Sequence, residues 1–253
     1  MDRSFDELIA EAEAAPIEGW DFRWLDGRAT EERPTWQYSA MVASRIRSAS
    51  AMLDVECGGG EMLGRLPGLA DFTVATEGWV PNIGVAARRL GPLGAFVTGA
   101  SHDGPSLPFA GDTFDLVTSR HPTVTWWGEV ARVLRPGGTF LSQQVGPHSV
   151  GELTEFMLGP QPRGSRRHPE LAVAGAEAAG LTVVDLRQER LRTVFYDVGA
   201  VVYFLRLVVW NVPGFTVERY RDRLRAMHEH IQRDGSFVGH ATRFLIEARK
   251  PSR

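Results

Sequence analysis

Met52-Leu53-Asp54-Val55-Glu56-Cys57-Gly58-Gly59-Gly60-Glu61 runs from an apolar segment through an acidic residue into three glycines. A helix-compatible segment follows. This pattern predicts the first strand of a doubly wound α/β sheet turning into its first helix. Glycines belong at such a turn because a ligand there approaches the backbone more closely than a side chain allows. Gly58 and Gly60 match the first two positions of the dinucleotide fingerprint, but Leu63 occupies the third. A ligand without a pyrophosphate needs no third glycine. The plain alternative is a glycine-rich loop that binds nothing.

Further signals follow in order. Phe72-Thr73-Val74-Ala75-Thr76 reads as a second strand, β-branched and apolar, ending in Glu77. An acidic side chain there can accept both hydroxyls of a ribose. Ala95–Thr98 reads as a third strand, with Asp103 in the loop after it, and Phe114–Ser119 as a fourth. Glu129–Leu134 is predicted helical. Arg135-Pro136-Gly137-Gly138 reads as the turn that stops it, and Thr139–Val145 as a fifth strand.

The ordered set LDVECGGGE, VATEG, HDGPSLPFAGDTFDLV and EVARVLRPGGTF, from about Leu53 to Val145, resembles a class I S-adenosylmethionine-dependent methyltransferase. The resemblance implies a Rossmann-like, seven-stranded, mostly parallel sheet with an antiparallel last strand. It implies S-adenosylmethionine as cofactor. Asp54, Glu56, Cys57, Gly58 and Gly60 would lie along its methionine part. Glu77 would bind the ribose, and Asp103 the adenine amino group with Gly104 beside it. Glu56 departs from the family's pattern, which has glycine there. A residue with a Cβ avoids positive φ at a cost of about 1 kcal/mol. Three outcomes stand open: the turn opens, Glu56 meets the cofactor's ammonium, or cofactor binding has been lost.

The 253 residues suffice for one large α/β domain, or a domain with a cap. A hydrophobic fraction of 43% and a charged fraction of 23% are those of a globular chain. The net charge of −3 gives no electrostatic support for a nucleic-acid partner. A single cysteine, Cys57, excludes an internal disulfide, and no Cys/His spacing supports a zinc site. Cys57 reads as a small residue in a tight turn. Met1–Ala15 is acidic and amphipathic, unlike a targeting signal. The apolar run Val198–Val212 contains Arg206 and falls short of the roughly 20 residues a membrane span needs, so it reads as a buried helix. A cytoplasmic protein without membrane partners is expected.

Residues 1–50 are predicted to form a helical and aromatic lid segment before the methyltransferase domain at 51–253. Asp6–Ala14 reads as a helix. Trp20, Phe22, Trp24, Trp36 and Tyr38 either staple this leader to the domain or line a pocket. Residues 159–169 read as a basic surface loop and Leu171–Ala179 as a helix stopped by Gly180. Thr182–Leu186 starts a sixth strand, and the last strand lies near Ala241–Ala248. A helical cap insertion is expected at about 190–236, on the acceptor side. There Val217, Tyr220, Leu224, Met227 and Ile231 mark one helix face. The arginines at 219, 221, 223 and 225 alternate with Glu218 and Asp222, as on a solvated face.

Methyl transfer asks mainly for positioning, with a base when the acceptor is a hydroxyl or protonated amine. His121, after the fourth strand in Ser119-Arg120-His121-Pro122, is the candidate; the plain alternative is that it holds its loop. His148 is a second choice. Only one of Gln143 and Gln144 can face the site, because strand side chains alternate. The N/D-P-P-Y/F signature of many nucleic-acid amino methyltransferases is replaced by Arg120-His121-Pro122-Thr123. The expected function is methyl transfer to a small-molecule acceptor. The alternatives are a methyltransferase acting on RNA or protein, and a non-catalytic S-adenosylmethionine-binding protein.

Overall fold

The computed structural model describes residues 3–17, 20, 22–100, 106–162, 164 and 167–252. Among them one sheet holds eight strands: β1 (Ala29–Glu31), β2 (Ala51–Val55), β3 (Phe72–Glu77), β4 (Phe96–Gly99), β5 (Phe114–Arg120), β6 (Leu134–Val145), β7 (Thr182–Phe195) and β8 (Phe237–Arg249), in the order β1-β7-β8-β6-β5-β2-β3-β4. The pairs β2–β3, β2–β5, β3–β4 and β5–β6 are parallel. β8 pairs antiparallel with β6, and β1 antiparallel with β7. The doubly wound, mostly parallel sheet expected from the sequence is present. It has eight strands rather than seven because the three-residue β1 adds to the edge beside β7. So short a strand carries no periodicity to read.

The chain divides into two units. One comprises residues 34–146, 166–189 and 243–253; the other comprises 1–33, 147–165 and 190–242. In the first, period-two alternation feeds two cores. Leu53, Val117, Phe140 and Ile246 pack with Val130 and Val133 of α4 (Trp127–Val133) and with Ala172 and Ala176 of α6 (Pro169–Ala178). Their neighbours Met52, Leu116, Leu141 and Leu245 pack with Val42 and Ile46 of α2 (Tyr38–Ile46) and with Ala86 and Leu90 of α3 (Val80–Leu90). A strand covered on both faces reads as a continuous apolar run, which is why β2 was conspicuous.

The second unit gathers α1 (Phe5–Ala14), α5 (Gly151–Leu158), α7 (Val198–Leu207) and α8 (Arg221–Asp234) around one core. α1 opens with a capping box, Ser4 and Glu7 satisfying each other's backbone N–H. α7 is buried except at Arg206. Arg206 Nη1 donates to the carbonyls of Ala12 and Ala15, so the one charge in the apolar run satisfies the open end of α1. α8 buries Leu224, Met227 and Ile231, while Val217 and Tyr220 precede its first turn. Trp24 stacks on Tyr203 with the Arg28 guanidinium over its ring, and Arg28 in turn pairs with Asp197.

Two local expectations are corrected. Only one turn of 3-10 helix, Leu63–Arg65, follows the glycines, where a first helix was expected. Pro67 holds Leu66 extended, at φ −73° and ψ 148°, and stops any extension. Arg135-Pro136-Gly137-Gly138 is not a turn outside the sheet. α4 passes directly into β6, and these residues bulge where the partner strand places only Asp115, between the pairs Leu134–Phe114 and Thr139–Leu116. A Cβ at Gly138 would lie 2.8 Å from the Arg135 carbonyl oxygen, so glycine is required there.

Candidate active site

The parallel strands of the larger unit end along one carboxyl edge, where α/β sheets bind ligands. Asp54 lies near the tip of β2 and is buried. Thr118 Oγ1 donates to its Oδ1 at 2.6 Å. Burial raises its pKa to about 7, the Thr118 bond and Arg120 opposing and Glu77 adding to the rise. Glu77, the last residue of β3, is 5% exposed. Its Oε2 accepts from Gly58 N at 2.7 Å and its Oε1 from Trp79 N at 2.8 Å. Glu77 therefore ties the tip of β3 to the glycine turn. Each of its oxygens keeps a lone pair for a further donor.

The turn between β2 and the 3-10 segment has Glu56, Gly58 and Gly60 at φ 58°, 61° and 77°. Cys57 N donates to Thr76 O at 2.9 Å and Gly60 N to Cys57 O at 3.0 Å. Glu56 takes the left-handed conformation despite its Cβ, and its Oε2 accepts from Thr123 N at 2.6 Å. A charge-assisted bond of this kind offsets the roughly 1–2 kcal/mol of strain. Burial, with Asp54 and Glu77 nearby, raises the Cys57 thiol far above its ordinary pKa, so it carries no thiolate. At the start of α3, just beyond Glu77, the Asn82 amide is buried with neither atom paired. Asp103 and Gly104 lie outside the described residues.

His121 follows β5 at φ 58°. Its N–H donates to Gln143 O at 2.7 Å, and its Nε2 lies 3.0 Å from Gln143 Nε2. Trp36 Nε1 donates to Gln143 Oε1 at 2.8 Å. Burial, then Arg243, Arg120 and Arg167, hold the imidazole pKa well below its ordinary value. Gln144, the alternate neighbour, instead donates to Thr125 Oγ1 at 3.1 Å. Tyr38 is buried with its hydroxyl against the carbonyls of Ser119 and Leu141. Trp24, Trp36 and Tyr38 thus pack as the leader's staples, while Trp20 and Phe22 are exposed. Val55, Ser119, Pro122, Val124 and Trp126 line a small apolar recess of about 20 Å³. A larger cavity, about 220 Å³, opens at the opposite, amino edge beside Arg45, Asp115 and Gly137, away from these residues. His148 belongs to the other unit, where its carbonyl accepts from Gly151 N. Among the described residues no three His, Cys, Asp or Glu side chains gather as a metal site, and no helix is long and apolar enough to cross a membrane.

Residues 53–142 match the family model of the methyltransferase domain. They span β2 to β6, the strands whose tips carry Asp54, Glu77 and His121. This part of the chain is a class I S-adenosylmethionine-dependent methyltransferase domain. Its cofactor is S-adenosylmethionine. Solved structures share the fold at low identity. BH2331 of Bacillus halodurans C-125, described as a methyltransferase, is 19% identical with TM-score 0.57, the match covering 84% of this chain and 100% of that one. The YcgJ protein of Bacillus subtilis is 16% identical with TM-score 0.59, covering 86% and 100%. The cyclase SpnF is 19% identical with TM-score 0.53, covering 97% and 93%. A search of curated proteins found no match.

The methyltransferase's own residues fit the cofactor. Adjacent parallel strands end in two buried carboxylates, the turn between them is left-handed at three positions, and Asn82, soon after Glu77 in the chain, holds an unpaired amide. Buried amides ordinarily have partners, so the unpaired Asn82 amide is one that a ligand can satisfy. Sequence reasoning missed Asn82 and Thr118, and offered Trp36 as a staple or pocket aromatic without its partner Gln143. Thr118 acts through Asp54 and Trp36 through Gln143, each distant in the chain, and no motif marks Asn82 or Thr118.

Proposed function

We propose that the enzyme transfers a methyl group to a small-molecule acceptor positioned at His121. S-adenosylmethionine supplies a methyl group already activated for displacement. Asp54, Glu56, Cys57, Gly58 and Gly60 line its methionine part in this reading, Glu77 binds the ribose, and Asp103 with Gly104 takes the adenine. His121 orients the acceptor or removes its proton. One observation carries the reading: His121, Asp54 and Glu77 end strands on the same carboxyl edge. Residues 1–50 act as a lid and about 190–236 as an acceptor cap; protection of these segments from proteolysis by S-adenosylhomocysteine tests that part. Calorimetry tests the whole. Binding of S-adenosylmethionine and S-adenosylhomocysteine supports it, and binding of NAD with no S-adenosyl ligand overturns it.

A further inference from the structure

Trp36 Nε1 is a donor only, so the amide atom it meets at 2.8 Å must be the Gln143 oxygen. The amide's orientation is thereby decided without reference to the histidine. The NH₂ end of Gln143 then faces His121 Nε2 at 3.0 Å. An NH₂ group can only donate, so this ring nitrogen must be unprotonated. The neutral ring carries its proton on Nδ1, and the imidazolium is excluded because Nε2–H would meet N–H. Nδ1 has no hydrogen-bond partner among the described residues. Gln143 also grips the main chain, its carbonyl accepting from His121 N at 2.7 Å and holding the left-handed backbone. Among the described residues, the charged groups that depress the imidazole pKa beside burial are Arg243 on β8, paired with Val145 beyond Gln143, Arg120 at the end of β5, and Arg167 before α6. All three are cationic.

We propose that Trp36 and Gln143 are positioning residues that lock His121 as the Nδ1–H tautomer, making it a hydrogen-bond donor to an anionic oxygen of the acceptor and not its base. This rests on the reading that the acceptor lies at His121, and it narrows that reading. The one basic nitrogen of the ring is capped by Gln143, so His121 holds a proton at Nδ1 and takes none. A neutral N–H donor at Nδ1 suits an acceptor oxygen, and binds an anionic one most strongly. The acceptor's nucleophilic atom then loses any proton to another base or to solvent.

Imidazole ¹⁵N NMR on the full-length protein tests this without a known acceptor. The parent should show His121 as the Nδ1–H tautomer, untitrated through the ordinary imidazole range near 6.5. Trp36→Phe frees the Gln143 amide to flip, and Gln143→Glu replaces the capping donor with an acceptor. Both should admit the Nε2–H form, and Gln143→Glu should raise the His121 pKa from its depressed value. With S-adenosylhomocysteine bound, acetate should shift the Nδ1 resonance in the parent. An Nε2–H tautomer in the parent, or titration near the ordinary value, overturns the lock. An Nδ1 resonance indifferent to acetate overturns the oxyanion assignment. If S-adenosylhomocysteine fails to bind while the tautomer is as expected, the functional reading fails and the lock stands.

Discussion

The tips of β2 and β3 and the tips of β5 and β6 lie on one edge of one sheet, yet they are built differently. At the first pair the chemistry is local. Asp54 and the glycine turn are neighbours in sequence, and Glu77 reaches Gly58 across adjacent parallel strands. At the second pair the chemistry is assembled at long range: Trp36 meets Gln143, which meets His121. The titrating groups are perturbed in opposite senses with the same result. Burial raises Asp54 and lowers His121, so each is pushed toward its neutral form. A cationic cofactor end reverses the first effect, and an oxyanion at Nδ1 uses the second. In the proposed reading, the carboxylates face the cationic cofactor and the imidazole faces an anionic acceptor.

The largest expected effect breaks the second pair alone. His121→Ala should lower methyl-transfer turnover by about 10²-fold or more while cofactor affinity stays near normal, because a directed hydrogen bond at the reacting partner is lost. Steady-state kinetics with a separate cofactor titration check it. A parent rate in the variant would show that positioning elsewhere carries the reaction.

Glu77→Ala breaks the first pair. It leaves the N–H groups of Gly58 and Trp79 without their acceptor and, in the proposed reading, removes the ribose partner. Cofactor binding should weaken by about 1–3 kcal/mol, and thermal stability should fall with it. Calorimetry and a melting curve read the two separately.

The charge division is sharpened by pH. Asp54 has a folded-state pKa of about 7 against an ordinary 3.8, so the folded protein holds an extra proton between those values and loses stability as pH rises through them. A cationic group of the cofactor favours the ionised form. Affinity should therefore rise with pH by up to about tenfold per unit below 7, with proton release, and level off above it. Asp54→Asn should flatten the profile. His121 carries the opposite slope: its folded pKa is depressed, so its share of stability is present above about 6.5 and is lost as pH falls below it.

The smallest effect concerns Glu56, which touches both pairs through Thr123 N. Glu56→Gly removes about 1–2 kcal/mol of left-handed strain and loses one charge-assisted bond of similar size. Stability should change by less than about 1 kcal/mol. Cofactor affinity equal to the parent's or better would mean that the side chain serves the turn, whereas a fall would mean that it pairs with the ammonium.

Much of the fold was legible because its signals are short-range. A buried parallel strand is a continuous apolar run, as in Met52–Val55, and a left-handed turn selects glycine. These facts, in order from about Leu53 to Val145, determined the doubly wound sheet and placed Asp54, Glu77 and His121 at strand ends. The sequence did not show the edge strand Ala29–Glu31, too short to carry a period, or the bulge at 135–138, whose glycines also suit a turn. It offered Gln143 and Gln144 as equals. Tertiary structure chose between them, because alternation turns Gln143 to Trp36 and His121 and Gln144 to Thr125. Which nitrogen of His121 bears the proton, and why Asp54 resists ionising, depend on partners 22 to 107 positions away and on burial. Such properties belong to the packed interior, where desolvation and a donor-only neighbour act, and no local window of sequence contains them.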